Sequence, residues 1–415
     1  MSKGIDTVIV IGASHAGVGF VDAMRRYGFA GDLLLIDRLR GLPMERPPLS
    51  KAFLSGTSDD DAHLLRSADW YERQNIALID GVAVSDIDAA AKTIRLDTGE
   101  THAFDALVLA TGAVPRMLPD AVDLSGVHVL RNPDDAKTLR AAVAKSDSAI
   151  VIGGGYIGLE VAASLNKSGK KVHVIEAADR LLARVASPAI SDFFHAIHSQ
   201  HEVQLHVGVG VASMQSRDGA FTGVTLSDGT SLSAQLLLVG IGVEPDMALA
   251  RIADVECGNG ILVGPDMQTD KAGIYAIGDA ALSPSQAPKI GDQAIRVESV
   301  HNAQDSAARA AAAIMGVASP EWQAPWFWSE QYDVRLQSAG IVPPAGGAVQ
   351  QIIRPGKREG GHSVWTFDGD RLCAIEAVRD PAGYMLGKKC LDHARAPHPE
   401  DVANPDFDLK GFLAG

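Results

Sequence analysis

The sequence predicts an α/β protein with two doubly wound, parallel-sheet domains in series and a smaller α+β domain at its end. Three observations carry that reading. Two glycine-rich strand-to-helix turns begin at Gly12 and Gly153, about 140 residues apart. Each is followed by a helix and then a second strand that ends on an acid. From Trp322 the composition shifts to prolines, tryptophans and short alternating strands. A chain of 415 residues is also too long for one ordinary core, so two or three domains are expected.

The elements follow in order. Thr7–Ile11 reads TVIVI, a buried strand, and leads through a glycine turn into an amphipathic helix ending near Tyr27. The next strand, Leu33–Ile36, ends at Asp37. The segment Gly41–Lys51 is a structured loop, because Pro47 and Pro48 exclude both a helix interior and a central strand. Strands with turn-rich links follow, including a hairpin around Asp97–Gly99, and close with Ala106–Ala110 and a break at Thr111–Pro115. The pattern then restarts with strand Ser148–Ile152, turn Gly153–Gly158, helix Leu159–Ser168 and strand Val172–Ile175 before Glu176. Leu236–Val239 and the turn Gly240–Pro245 end the second domain. The chain returns to the first through Ile274–Asp279 and the alanine-rich helix Ala303–Met315. Ser363–Phe367 and Leu372–Val378 are strands of the last domain. The tail after Ala396, with Pro397, Pro399 and Pro405, reads as an extended arm with a short terminal turn. The expected division is 1–113 with 247–321, then 114–246, then 322–415.

Hydrophobic residues make up 46% and charged residues 21%, an ordinary globular mixture, while 42 glycines exceed the usual share. The formal charge of −14 argues against a general nucleic-acid binder, and an acidic protein partner would need a local basic patch. No apolar run reaches the length of a membrane span. The N-terminal stretch lacks the apolar core and small-residue cleavage site of a signal peptide, so a cytoplasmic location is expected. The three cysteines, Cys257, Cys373 and Cys390, are too few and too scattered for a disulfide framework or a zinc site, and no metal is expected.

In a dinucleotide turn the first glycine permits the tight bend. The second lets the backbone approach a pyrophosphate, and the third lets helix pack on strand. The helix N-terminus then offers unpaired N–H groups to the phosphates. Gly153-Gly154-Gly155-Tyr156-Ile157-Gly158 has all three. Glu176, 23 residues beyond Gly153, is placed to bond a ribose 2′-hydroxyl and to repel a 2′-phosphate, which favours NADH over NADPH. Arg180 and Arg184 leave the other outcome open, since either could swing towards a 2′-phosphate. Gly12-Ala13-Ser14-His15-Ala16-Gly17 repeats the pattern with a serine at the second glycine, and Asp37 is its ribose acceptor.

Together the segments ERPPLSK (Glu45–Lys51), ATGAVPR (Ala110–Arg116), GGGYIGLEVA (Gly153–Ala162), GIGVEPD (Gly240–Asp246), IYAIGDAA (Ile274–Ala281), VESVHNA (Val297–Ala303) and PWFWSEQYD (Pro325–Asp333) resemble one family. It is that of the FAD-dependent, NADH-dependent ferredoxin reductases of bacterial oxygenase systems, within the glutathione-reductase-like flavoproteins. The resemblance runs essentially end to end. It implies two Rossmann-like domains, the first for FAD and the second for NAD. It implies flavin contacts at Gly12, Ser14, His15, Ala16, Gly17, Asp37, Arg38, Arg46, Pro48 and Lys51. It extends them to Val84, Ala110, Thr111, Gly112, Arg131, Gly278, Asp279, Val297, Val300 and Trp328. Arg38 stands where the family often carries its ribose-binding acid. For NAD it implies Gly153, Gly155, Tyr156, Ile157, Gly158, Glu160, Glu176, Arg184 and Gly242. By the same resemblance Lys51 lies near the flavin N5 and pairs with Glu160, and Lys51, Glu160 and Trp328 serve the chemistry. A lysine there would stabilise negative charge on the reduced ring.

Related disulfide reductases carry a redox-active cysteine pair beside the flavin, whereas Glu45–Gly56 here has none. Electrons therefore leave the flavin directly for a one-electron acceptor, which the resemblance implies is a small iron–sulfur ferredoxin, or a rubredoxin. Trp326 and Trp328 are either core residues or part of the acceptor face. Arg66, Arg309, Arg335, Lys388 and Lys389 are the candidate basic residues for docking, with the first three on the expected side. Other readings are an NADH-dependent reductase of a quinone, dioxygen or monodehydroascorbate, or a flavin redox sensor. The protein is expected to be a monomer or a homodimer.

Overall fold

A computed structural model describes residues 4–58, 60–284, 289–290, 293–343 and 349–414. The chain forms two compact units: 1–45 with 60–114 and 244–322, and 46–59 with 115–243 and 323–415. In the first unit the expected strand Thr7–Ile11 lies at the centre of a five-stranded parallel sheet. Asp32–Asp37 and then Ile76–Asp80 flank it on one side, and Ala106–Leu109 and then Ile274–Ala276 on the other. Val8, Ile9 and Val10 are fully buried, which is why the run reads as continuously apolar rather than alternating. His15–Arg26 and the alanine-rich Val300–Met315 pack on each other beside this sheet. A side chain at Gly19 would rest 3.6 Å from the Ala307 methyl, so small residues permit the approach. The hairpin expected at Asp97–Gly99 joins Thr93–Leu96 to Thr101–Ala103.

The second unit repeats the plan. Ser148–Ile152 is central, with Lys171–Glu176 and Gln204–Val207 on one side and Leu236–Val239 and Val127–His128 on the other. The fifth strand differs in origin, coming after the other four in the first unit and before them in the second. In both sheets the strand order reverses beside the central strand, where ligands of open α/β sheets bind at the carboxyl ends.

The C-terminal segment is α+β, as expected. A five-stranded antiparallel sheet runs in the order Trp326–Gln331, Val334–Gly340, Arg371–Val378, His362–Asp368, Val349–Pro355. One face receives the helix Pro381–Asp392, with Trp365, Ile375 and Tyr384 in the core between them. From the other, Val334, Leu336, Val364 and Val378 share a core with Leu159, Val161 and Phe194 of the nucleotide sheet's helices. The tail corrects the sequence reading: it is not an extended arm. Pro399–Ala403 and Leu409–Ala414 are short helices, with Pro399 in the first helical turn, where its missing N–H costs nothing. The Arg354 guanidinium pins the tail by donating to the carbonyls of Val402, Asn404, Pro405 and Phe407.

Candidate functional site

Both glycine turns have the form their chemistry requires. Gly12 and Gly153 sit at φ +104° and +107°, and a Cβ on either would strike the carbonyl of Ala110 or Gly240 respectively. Gly17 and Gly158 face the carbonyls of Gly12 and Gly153 so closely that no Cβ fits. The middle position differs. Gly155 has φ −80°, and a Cβ there would meet nothing within 4 Å, leaving open space for a ligand to approach the backbone. Ser14 takes the same place with φ −117°, a region open to any residue, so the serine carries no backbone strain. Neither following helix has an acid in its first turn, and neither has a side-chain cap. These positive helix ends are therefore suited to phosphate groups.

The acids at the strand ends are fixed by their own loops. Asp37 accepts from the amides of Ala13 (2.9 Å) and Leu39 (3.0 Å). Glu176 accepts from those of Gly154 (2.7 Å) and Ala178 (2.8 Å). Each carboxylate oxygen keeps lone-pair capacity for a ribose hydroxyl. Arg180 donates to the carbonyls of Ala183 and Ala186, so it is held on the backbone. Arg184 is exposed, and its guanidinium lies beside Gly242.

In the first unit several predicted residues converge. Ala110 abuts Gly12, and Thr111 donates to the Asp246 carbonyl at 2.6 Å. Gly278, at φ +68°, packs against Ala16 and Ala303, which brings the Asp279 turn and the helix start at Val300 to the first glycine loop. Asn302 donates to the Val297 carbonyl, and Val82 donates to that of Asp37, two residues before Val84. Arg38 reaches Asp246 at 3.4 Å on the surface. In the second unit Arg46 donates to the Arg131 carbonyl at 2.6 Å. Pro47–Ser50 forms a single 3-10 turn, with Pro48 in its first half and Lys51 just past its end.

That turn presents Lys51 to Glu160, 2.6 Å away, on the helix Tyr156–Lys167. Glu160 is 2% exposed and also accepts from the Ser50 hydroxyl (2.5 Å), the Ser329 hydroxyl (2.7 Å) and the Glu330 amide (3.2 Å). A buried carboxylate with four donors is fully satisfied as the anion. Lys51 donates in addition to the Pro47 carbonyl at 3.1 Å, and Ser164 ties the helix to the Ser50 carbonyl at 2.7 Å. Ser50 and Ser329 were not singled out from the sequence. The available signal was the alternation in Trp326–Gln331, which puts Ser329 and Gln331 on one strand face, both with no exposure.

On that strand Trp326 and Trp328 lie 5.5 Å apart on the same face and are half-buried. Phe327, on the other face, packs against Tyr156 with the rings tilted and 4.5 Å between centroids, and the Tyr156 hydroxyl donates to the Val185 carbonyl at 3.3 Å. Ile157 is 45% exposed next to the second glycine loop. In the same unit Glu376, with no exposure, accepts from the Ser187 amide at both oxygens, and burial pushes its carboxyl up to about 7.

Of the expected docking residues, Arg309 is ruled out by its surroundings. It is 8% exposed and bound to Asp305 at 2.6 Å, because the helix that carries it packs that face inward. Arg66 pairs with Asp22 and lies over Trp70, and Lys388 pairs with Asp392. Arg335 and Lys389 are exposed. No group of side chains suited to a metal ion occurs among the described residues.

Residues 6–307 match the family described as "Pyridine nucleotide-disulphide oxidoreductase", and residues 326–413 match "Reductase C-terminal". Rhodocoxin reductase of Rhodococcus erythropolis is 38% identical over 409 residues, covering 98% of this chain and 94% of its own length. Among solved structures, the ferredoxin reductase for the CYP199A2 system from Rhodopseudomonas palustris superposes with a TM-score of 0.92 at 37% identity, over 98% of this chain and 99% of that one. The reductase in the covalent putidaredoxin reductase–putidaredoxin complex gives 0.92 at 33% identity, over 99% and 98%.

Proposed function

The chain belongs to the pyridine nucleotide-disulphide oxidoreductase family, and from that premise we propose that it is an FAD-dependent reductase passing electrons from NADH to a small iron–sulfur ferredoxin or rubredoxin that feeds an oxygenase. The observation that carries this reading is the pair of complete dinucleotide turns in a chain with no cysteine beside Lys51. The three cysteines are free, so no dithiol stands ready to take electrons. FAD, when bound, supplies the conversion of one hydride into single electrons.

The chain's residues then have distinct tasks. Residues 1–113 and 247–321 hold FAD through Gly12–Gly17, Asp37, Thr111–Gly112, the Gly278–Asp279 turn and Val300. Residues 114–246 hold NADH through Gly153–Gly158, where Glu176 disfavours a 2′-phosphate. Lys51, oriented by Glu160, supplies fixed positive charge to the flavin ring, and Trp328 belongs to the acceptor side. Docking of the ferredoxin draws on Arg335 and Lys389. A cytoplasmic location fits this role, and no helix among the described residues is long and apolar enough to cross a membrane.

The test is direct. The purified protein is expected to be yellow, to bleach within the mixing time on NADH addition under argon, and to reoxidise when an iron–sulfur ferredoxin is added. A colourless protein that cannot be reconstituted with FAD would overturn the proposal.

A further inference from the structure

Glu160 is gripped from two sides, and the side away from Lys51 continues inward. His198, on the helix Pro188–Gln200, has no exposure and lies 2.8 Å from Gln331 through its Nε2. The atom it meets is Oε1 of the amide, which can only accept, so Nε2 carries the proton. That bond fixes the amide with its NH2 towards the Ser329 hydroxyl, to which it donates at 3.2 Å. Having accepted there, the Ser329 hydroxyl turns its own proton to Glu160 Oε1 at 2.7 Å. Every bond in the series points the same way and ends on the carboxylate whose other oxygen takes Lys51. The far end is costly: His198 Nδ1 is buried without a hydrogen-bond partner among the described residues. An apolar side chain would avoid that cost, but it would leave the Gln331 amide free to flip and the Ser329 proton undirected.

We infer that Ser329, Gln331 and His198 are positioning residues for Lys51, holding Glu160 in the orientation that neutralises the ammonium. The inference rests on the reading that Lys51 serves the flavin, and it adds three residues that set how much of its charge the flavin feels. Chains of this kind strengthen each member by polarisation. Removing one donor lets the carboxylate turn away, so that the ammonium acts with more of its full charge.

The test uses the FAD-loaded protein and two readouts: the flavin midpoint potential by dye equilibration, and stopped-flow reduction that separates the NADH Kd from the limiting rate. Lys51→Met is expected to lower the potential. Ser329→Ala and Gln331→Met are expected to raise it and to change the limiting rate at least about fivefold, with the Kd within about twofold. Ser329→Thr, which keeps the hydroxyl, restores both. An unmoved potential in Lys51→Met sinks the reading of Lys51 itself. If Lys51→Met moves the potential while Ser329→Ala and Gln331→Met leave it unchanged or lower it, the positioning chain is overturned and the Lys51 reading stands. Ser329→Ala deletes one oxygen, so it decides the matter should the larger change at Gln331 prevent folding.

Discussion

Ser14 and Gly155 occupy the same place in their two loops, and the backbone explains why one can be a serine. Both have ordinary negative φ, so only the approach of a ligand, and not the turn, demands a small residue. Gly155→Ala therefore tests binding apart from folding. Its stability should change by less than about 0.5 kcal/mol, while the KM for NADH rises about tenfold or more. An unchanged KM would show that nothing approaches the backbone there. Gly12 and Gly153 are of the other kind, and alanine at either meets both strain and a carbonyl. Glu176, proposed to meet the ribose, also anchors Gly154. Glu176→Gln keeps an acceptor and loses the charge, so the ratio of kcat/KM for NADPH over NADH should rise about tenfold, the equivalent of about 1.4 kcal/mol. These residues were legible because each pairs a local spacing with a local geometry. Lys51 and Glu160, 109 positions apart, were reached only through family resemblance. Ser329 and Gln331 were hidden by looking like ordinary polar strand residues.

Among the elements, the strand Arg371–Val378 bears a buried acid against the N-terminus of another helix. Burial raises the Glu376 carboxyl from 4.5 to about 7, against the Ser187 amide and the charge of Arg180. The unfolded chain ionises first, so this site favours the fold below about pH 4.5 and loses that contribution as pH rises through about 7. At about 1.4 kcal/mol per unit the cost at alkaline pH is on the order of 3 kcal/mol. Glu376→Gln should raise Tm at pH 8 by several degrees and have little effect at pH 4.5; equal shifts at both would refute it. The strands and helices of both nucleotide folds were readable from apolar runs and glycines. The tail was not, because its order comes from Arg354, a residue about fifty positions upstream that gathers four carbonyls.

For the whole molecule the charge of −14 sets the terms on which an acidic partner can be met. With Arg309 buried, Arg335 is the exposed cation that remains from the expected trio with only a loose partner, Glu330 at 3.6 Å. Arg335→Glu is expected to lower kcat/KM for an acidic ferredoxin about tenfold at low salt, and to flatten its decline with ionic strength. Flavin reduction by NADH should be unaffected. Equal salt dependence in both proteins would move the docking face elsewhere. The duplication of sheet order was implied by the two glycine turns. The return of 247–321 to the first unit was legible too, but the packing of the C-terminal segment into the second unit was not, since it is made by cores such as that shared by Val334 and Leu159.

The helix Tyr156–Lys167 begins on the loop that would cradle one dinucleotide and carries Glu160 only five residues beyond Gly155, about 7.5 Å along its axis. One rigid element therefore joins the second glycine loop to the Lys51–Glu160 ion pair one turn further on. A tilt of that rod when a ligand settles on the loop would reach the Lys51 ammonium through the Glu160 ion pair, without any loop having to close.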